Sequence, residues 1–381
     1  MLKQFKEIPS PCYVMEEDLL KKNINLIRDI SEETGNEIIF AIKSFAMWSV
    51  FPNFKDNVPG ATASSLNELK IWSEMIEKRA HIYSPAYDED SFQEVMQLSD
   101  HITFNSLSQY NRFYPLIKKS GMNISVALRI NPEFSEVKEA VYDPCSPGSR
   151  LGITMDKLPD TLPEGIDGLH FHTLCESSSL ALKNTLKVVE EKFGRYFSQI
   201  KWINMGGGHL ITDKNYDVPL LISTLKDFNS RYPKLRVFLE PGSAFTWDTG
   251  FLKTTVEDIV ENHGIKTAII NASFAAHMPD CLEEPYQPEI RNAKTGILHG
   301  KAAYRIGGNT CQSGDFFGFW SFDKELEIGD ELIFENMMPY TMVKSTFFNG
   351  VRHPSIGIIH SDKKFELVRK FTYEDYKSRL S

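Results

Sequence analysis

The residues with the clearest chemical potential stand at the ends of apolar runs. Lys43 follows Ile38-Ile39-Phe40-Ala41-Ile42, which reads as a buried strand. Lysine is seldom buried without a partner. One placed here either snorkels its amine to solvent or holds it in an apolar pocket, where it can form a Schiff base with an aldehyde. His172 closes Gly168–Phe171 and could stack on a flat ring or serve as a hydrogen-bonded core histidine. Gly206, Gly207 and Gly208 come just after Trp202–Asn204, where a glycine run makes either a flexible turn or a nest of N–H groups for phosphate. Glu240 closes Val237–Leu239, a position that is costly for a carboxylate unless a cation faces it. That cation could be a protonated ring nitrogen or a structural base. Gly242 and Ser243 follow it with further N–H donors and a hydroxyl. Arg150 could hydrogen-bond a ring oxygen or pair with a surface acid.

A second group lies further along. Gly-Gly-Asn-Thr-Cys311-Gln-Ser-Gly-Asp315 is a polar loop with a thiol and a carboxylate four residues apart. Cys311 could donate a proton and Asp315 could meet a substrate amine, although free cysteine commonly packs as a small hydrophobe. The acidic stretch from Asp280 to Glu284 reads as a solvated loop or as a site for a polycation. Tyr340, in Met-Pro-Tyr-Thr, could close a phosphate site or simply pack.

These positions need a scaffold that gathers strand ends. Residues 38–42, Gly60–Ala63, Ala80–Tyr83, His101–Phe104, Ile124–Ile130, Gly168–Phe171, Trp202–Asn204 and Val237–Leu239 read as eight strands. Amphipathic helices are expected at Leu66–Ile76, Phe92–Leu98, Leu107–Ile117, Leu180–Phe193 and Val218–Arg231. Another should start near Glu16 and stop at Gly35. The repeat has the size of a (β/α)8 barrel, whose chemistry gathers at the C-terminal strand ends. Doubly wound sheets alternate in the same way, so the pattern alone leaves both open. Beyond residue 250 the runs Phe251–Val260, Lys266–Asn271, Ala302–Ile306, Glu331–Phe334 and Ile356–His360 lack long intervening helices and are punctuated by Gly and Pro. They predict a second, mostly antiparallel β domain.

The 381 residues are enough for two domains, and 41% hydrophobic with 24% charged residues is an ordinary globular balance. A net charge of −9 argues against a nucleic-acid surface and suits a cationic small substrate. Five scattered cysteines without zinc spacing point to a reducing compartment and no metal. No segment reads as a signal peptide or membrane span, so the cytoplasm is expected.

Taken together, the stretches around Lys43, His172, Gly206–Gly208, Glu240-Pro-Gly, His277-Met-Pro-Asp280, Cys311–Asp315 and Pro-Tyr340-Thr resemble the alanine-racemase-fold decarboxylases that use pyridoxal 5'-phosphate. Among these they are most similar to the carboxynorspermidine/carboxyspermidine decarboxylase family. The resemblance runs from about Pro11 to Pro354. It implies a (β/α)8 TIM barrel over residues 13–250, with residues 1–12 and 251–381 forming the β domain. It implies that Lys43 carries the cofactor, His172 stacks on its ring and Glu240 pairs with its ring nitrogen. Gly206, Gly207, Gly208, Gly242, Ser243 and Tyr340 would serve the phosphate, and Arg150 the ring oxygen. Cys311 would return a proton to the substrate carbon, from the partner subunit of a head-to-tail homodimer. Glu240, Asp280 and Asp315 would contact a small polyamine-like amino acid. Related decarboxylases often read Glu-Pro-Gly-Arg where this chain has Ser243, so phosphate here would rest on N–H groups rather than a guanidinium.

Three rivals remain: decarboxylation of another basic amino acid of the diaminopimelate or ornithine type, a racemase, and a non-catalytic cofactor-binding protein. Racemases of this kind usually set an arginine against the ring nitrogen and use a tyrosine base, so Glu240 and Cys311 argue against that reading. Carriers have the barrel alone, whereas this chain has the second domain.

Overall fold

Residues 6–137 and 142–381 are described in the computed structural model. The chain divides into two compact units. One comprises Asn23–Phe245, and the other comprises the segment ending at Lys22 together with Thr246–Ser381.

In the first unit, the strand stretch before Lys43 is split by Ile39 into β2 (Glu37–Ile38) and β3 (Phe40–Ala41), which follow β1 (Cys12–Glu16) of the other unit. The ring continues through β4 (Ala61–Ala63), β5 (Ala80–Tyr83), β6 (Ser99–Phe104), β7 (Ser125–Arg129), β8 (Ile166–His170), β9 (Trp202–Asn204) and β10 (Arg236–Leu239). All neighbours are parallel, in the order β2-β10-β9-β8-β7-β6-β5-β4-β3. Because β2 pairs with β10 and β3 with β4, residues 37–41 act as one stave that closes the barrel. Parallel strands covered on both faces must be apolar throughout, which is why the runs were continuous rather than alternating. Ile39, Ala127, Trp202 and Phe238 form one buried cluster inside it.

Four of this unit's helices begin where a side-chain oxygen caps them. After α1 (Glu17–Thr34), Ser65 accepts from the Glu68 N–H at the start of α2 (Leu66–Ile76). The short α3 (Phe92–Leu98) follows, and Ser106 accepts from the Gln109 N–H at α4 (Leu107–Ser120). Ser178 caps α5 (Ser179–Phe193) and Asp217 caps α6 (Val218–Arg231). Each cap satisfies an N–H that the helix cannot use itself. No long helix joins β3 to β4. Residues Trp48–Asn53 form 3-10 turns there, and Phe40, Phe51, Phe54 and Phe245 interlock beside the stave.

The second unit is a nine-stranded, mostly antiparallel sheet. After β11 (Gly250–Asn262) come β12 (Ile265–Ile270), β13 (Ala293–Thr295), β14 (Ala302–Gly307), β15 (Phe316–Phe322), β16 (Glu331–Glu335), β17 (Ser355–Ile359) and β18 (Phe365–Arg369). The order is β13-β15-β14-β12-β11-β1-β17-β18, with β16 also on β11. Ile8, Cys12, Val14, Phe251, Ile333 and Ile359 form a core cluster there. The boundary expected at residue 13 lies instead after Lys22. The reason is pairing: β1 is hydrogen-bonded between β11 and β17, so it is a strand of the sheet rather than a lead-in to the barrel.

Candidate active site

The stave that closes the barrel ends at Ala41, and the chain then turns through the 3-10 segment Ile42–Ser44. Ile42 and Ser44 point inward and are buried, while Lys43 is exposed. Of the two placements open to this amine, the structure shows the one that reaches solvent. Its nearest polar partner is His172, with Nζ and Nε2 3.4 Å apart. The charge on Lys43 also reaches Glu68 of α2, where it lowers a carboxyl pKa that burial raises more strongly.

His172 is held by the glycine loop. The Gly207 N–H donates to its Nδ1 at 3.2 Å, which assigns the ring proton to Nε2. Burial, then the positive charges of Lys43 and Arg129, push its pKa well below the usual value, so the ring is neutral near pH 7.

The three glycines earn their places mainly by close approach. A Cβ on Gly206 would lie 2.4 Å from the Phe171 carbonyl oxygen, on Gly207 2.3 Å from that of Glu240, and on Gly208 2.2 Å from that of Leu174. The phosphate-nest expectation is narrowed accordingly. The Gly206 N–H is given to Asn204 Oδ1 at 2.9 Å and that of Gly207 to His172. Among the described residues the Gly208 N–H has no partner.

Glu240 sits at the end of β10 with Oε1 accepting from Asn204 Nδ2 at 2.6 Å and Oε2 3.5 Å from His170 Nε2. Burial works against its charge, but His170, His81 and the Asn204 amide outweigh that and hold its pKa down at about 2. His170 is itself buried, which lowers its pKa, and neither of its ring nitrogens makes a hydrogen bond among the described residues. Gly242 lies so close to the Lys43 turn that a Cβ would meet Ser44 Oγ at 2.5 Å. Ser243 is largely buried and starts the short helix α7 (Ser243–Thr246). Lys43, His172, Gly206–Gly208, Glu240, Gly242 and Ser243 thus come together at one end of the barrel, on turns after β3, β8, β9 and β10.

Arg150 is exposed, and its carbonyl accepts from Asn105 Nδ2 at 2.8 Å. Asn105 Oδ1 in turn accepts from the Tyr83 hydroxyl. Arg129, which sequence reasoning missed, is buried at the end of β7. Its guanidinium lies 4.6 Å from the Tyr83 ring centroid and donates to the His172 carbonyl at 3.0 Å. The signal was available: a cation closing an apolar run, as at Lys43. Asn204 and His170 were also missed. Both are polar residues at the ends of buried strands, and both touch Glu240.

Cys311, Asp280, Asp315 and Tyr340 belong to the other unit. Asp315 is buried with its oxygens taken by the N–H groups of Ala275 and Thr310, both at 3.1 Å, and by the Thr310 hydroxyl at 2.6 Å. It braces its own loop, and meeting a substrate amine would require giving those bonds up. The loop of acids is not uniformly solvated. Asp280 is buried in α9 (Asp280–Glu283), which follows α8 (Phe274–His277), and Asp280 Oδ2 accepts from Tyr286 and Thr341. Burial raises the Asp280 pKa. Glu283 instead pairs with Lys344 at 2.6 Å. Tyr340 is half-buried with φ 58°, and Lys344 lies 6.0 Å from its ring centroid. Cys311 is exposed, with both its N–H and its thiol directed to Asn349.

The donor set around Lys43 fits a flat, phosphorylated aldehyde. It offers an amine for the carbonyl, a neutral imidazole beside it, an ionised carboxylate for a ring cation, and N–H groups on Gly208, Gly242 and Ser243. Comparison with known proteins agrees. A family model described as pyridoxal-dependent decarboxylase, C-terminal sheet domain, matches residues 12–338. The chain is 46% identical over 99% of its length to carboxyaminopropylagmatine decarboxylase of Synechocystis sp., covering 97% of that protein. It is 41% identical to carboxynorspermidine/carboxyspermidine decarboxylase of Campylobacter jejuni, covering 98% of this chain and 99% of that one. A crystal structure of carboxynorspermidine decarboxylase complexed with norspermidine, from Campylobacter jejuni, superposes with a TM-score of 0.90 at 40% identity, over 98% of this chain and all of the other. The protein is therefore an enzyme of the pyridoxal-phosphate-dependent decarboxylase family, with the alanine-racemase-like barrel and sheet of that family.

Proposed function

We propose that the protein removes carbon dioxide from carboxynorspermidine and carboxyspermidine, producing the polyamines norspermidine and spermidine. The observation that carries this is the ionised Glu240 at the same barrel end as Lys43 and His172. A carboxylate there keeps a ring nitrogen protonated, which a decarboxylase needs and a racemase avoids. The substrate itself rests on the named relatives.

Pyridoxal phosphate, when bound, supplies an electron sink for the pair left as carbon dioxide departs. Lys43 would hold the cofactor through its amine. His172 offers its neutral imidazole face to the ring, oriented by the Gly207 N–H and the Arg129 bond to its carbonyl. Glu240 holds the proton on the ring nitrogen. Gly208, Gly242 and Ser243 offer N–H groups and a hydroxyl to the phosphate, in a corner that lacks a guanidinium. Tyr340 would support that phosphate, and Arg150 would bond the ring oxygen. Cys311 returns a proton to the carbon that lost carbon dioxide, across a homodimer in which each copy completes its partner's site. Exposed Phe316 and Phe348, near the Cys311 loop in sequence or contact, are apolar surface that such a partner would cover. Asp280, still buried without a partner for Oδ1 among the described residues, is the acid best suited to a distal amine. No described helix is long and apolar enough to cross a membrane and all five cysteines are free, which supports a cytoplasmic enzyme.

A second substrate is carboxyaminopropylagmatine, favoured by the Synechocystis relative at 46% identity. It ends in a guanidinium rather than an amine. Carbon dioxide release from all three compounds, measured side by side with purified enzyme, ranks them. Release from none of them would sink the proposal.

A further inference from the structure

Two loops of the sheet unit converge on one thiol. Cys311 lies at the tip of the loop between β14 and β15, and that loop is fixed from below by Asp315, which takes the N–H groups of Ala275 and Thr310. The second loop, Ser345–Gly350, is anchored on the same short helix α8: the Thr346 N–H donates to the Ala276 carbonyl at 2.7 Å. It is packed from the other side by the C-terminal segment. The Phe347 ring lies 4.8 Å from that of His353 and 5.8 Å from that of Phe371, and Gly350 leaves room for Tyr376. Asn349, at φ 55°, occupies the left-handed region that asparagine tolerates. The turn points its side chain at Cys311.

The contact has a direction. Asn349 Oδ1 is 3.2 Å from the Cys311 backbone nitrogen and 3.3 Å from Sγ. The backbone N–H can only donate, so the amide oxygen rather than the NH2 must face it. The same oxygen then faces the sulfur, which can approach it only as S–H. A thiolate would be repelled there. Asn349 therefore fixes the rotor that carries the thiol proton.

We propose that Asn349 is a positioning residue for Cys311, holding its S–H aimed and hydrogen-bonded between turnovers. The inference rests on Cys311 being the proton donor. In that step the S–H bond breaks, a C–H bond forms on the substrate carbon, and the S–H electron pair stays on sulfur. Solvent then reprotonates the thiolate, and Asn349 recaptures the S–H.

The test is the rate at which iodoacetamide alkylates Cys311 in the holoenzyme near neutral pH, read by peptide mass spectrometry with buried Cys12 as the inert control. Asn349→Gly keeps the left-handed backbone and removes the acceptor. Losing one hydrogen bond to the protonated thiol should raise the alkylation rate about fivefold. Asn349→Asp retains an acceptor and adds a negative charge, so its rate should equal or fall below wild type. A loop that merely loosened would speed alkylation in both variants, and that result, or an unchanged rate in Asn349→Gly, overturns the proposal. Turnover of Cys311→Ala is measured in parallel. A loss there with a smaller kcat loss and unchanged KM in Asn349→Gly is expected. Full turnover in Cys311→Ala would instead remove the proton-donor reading on which the role depends, whatever the alkylation rates.

Discussion

At the scale of single residues, the proposed chemistry depends on keeping one anion where a cationic ring would sit. Glu240 is held near pKa 2 although burial opposes its charge. That places it as an acceptor ready for a positive partner rather than one that must first lose a proton. Glu240→Gln preserves the size and discards the charge. Removing one member of a buried ion pair costs about 3–5 kcal/mol, and if most of that is felt in the transition state, turnover falls by a factor of about a hundred or more. The variant should still bind cofactor through Lys43 and retain the near-ultraviolet and visible absorbance of an imine. A turnover number close to wild type would refute the ring-nitrogen role. Lys43→Ala, by contrast, should lose that absorbance altogether.

At the scale of elements, the site is made by how tightly strand-end loops approach one another. The carbonyls of Phe171, Glu240 and Leu174 leave no room for a side chain on Gly206, Gly207 or Gly208. Gly207 has the largest consequence because its N–H also orients His172. Gly207→Ala must push the loop off Glu240 and break that bond. Cofactor affinity, followed by titration of the absorbance, is expected to weaken at least about tenfold, the cost of one lost buried hydrogen bond with strain added. Unchanged affinity would show that the loop has slack the structure does not suggest.

Much of this level was legible in the sequence. Periodicity located α2, α3 and α6 to the residue, because an amphipathic face leaves little choice. What was missed follows physical rules as well. β15, Phe-Phe-Gly-Phe-Trp-Ser-Phe, was hidden by glycines that read as turn punctuation, although Gly318 is needed where a Cβ would meet Gln287 Oε1 at 2.5 Å. β18 was hidden because it is a charged edge strand with most of its residues exposed. Tertiary hydrogen bonds were not legible at all: no local pattern says that Asp315 braces its loop, that Gly206 and Gly207 spend their N–H groups internally, or that Asn349 faces Cys311.

At the scale of the whole molecule, the buried histidines set the response to acid. His81, His170, His172, His209, His277 and His353 all have lowered pKa values with burial as the first cause; His81 and His277 fall to about 3 and His209 to about 4. Each is neutral when folded and takes up a proton on unfolding once the pH drops below about 6.5. Their contribution to stability is complete above that pH and is lost as pH falls toward the folded values. Glu16, Glu68 and Asp280, raised by burial, act in the opposite sense, adding stability as pH falls through their folded values, but the six histidines outnumber them. Stability should therefore fall steadily from pH 7.5 to 5.5. His81 is the cleanest probe: it is buried on β5, cross-strand from His101, and packs against Trp202 and Phe238, so phenylalanine fits its surroundings. Denaturant unfolding with cofactor present throughout should show His81→Phe losing about 1.4 kcal/mol less than wild type between pH 7.5 and 5.5. Parallel pH profiles for the two proteins would mean that His81 takes up its proton in the folded barrel as readily as in the unfolded chain, and that the barrel interior is far more polar than its aromatic lining implies.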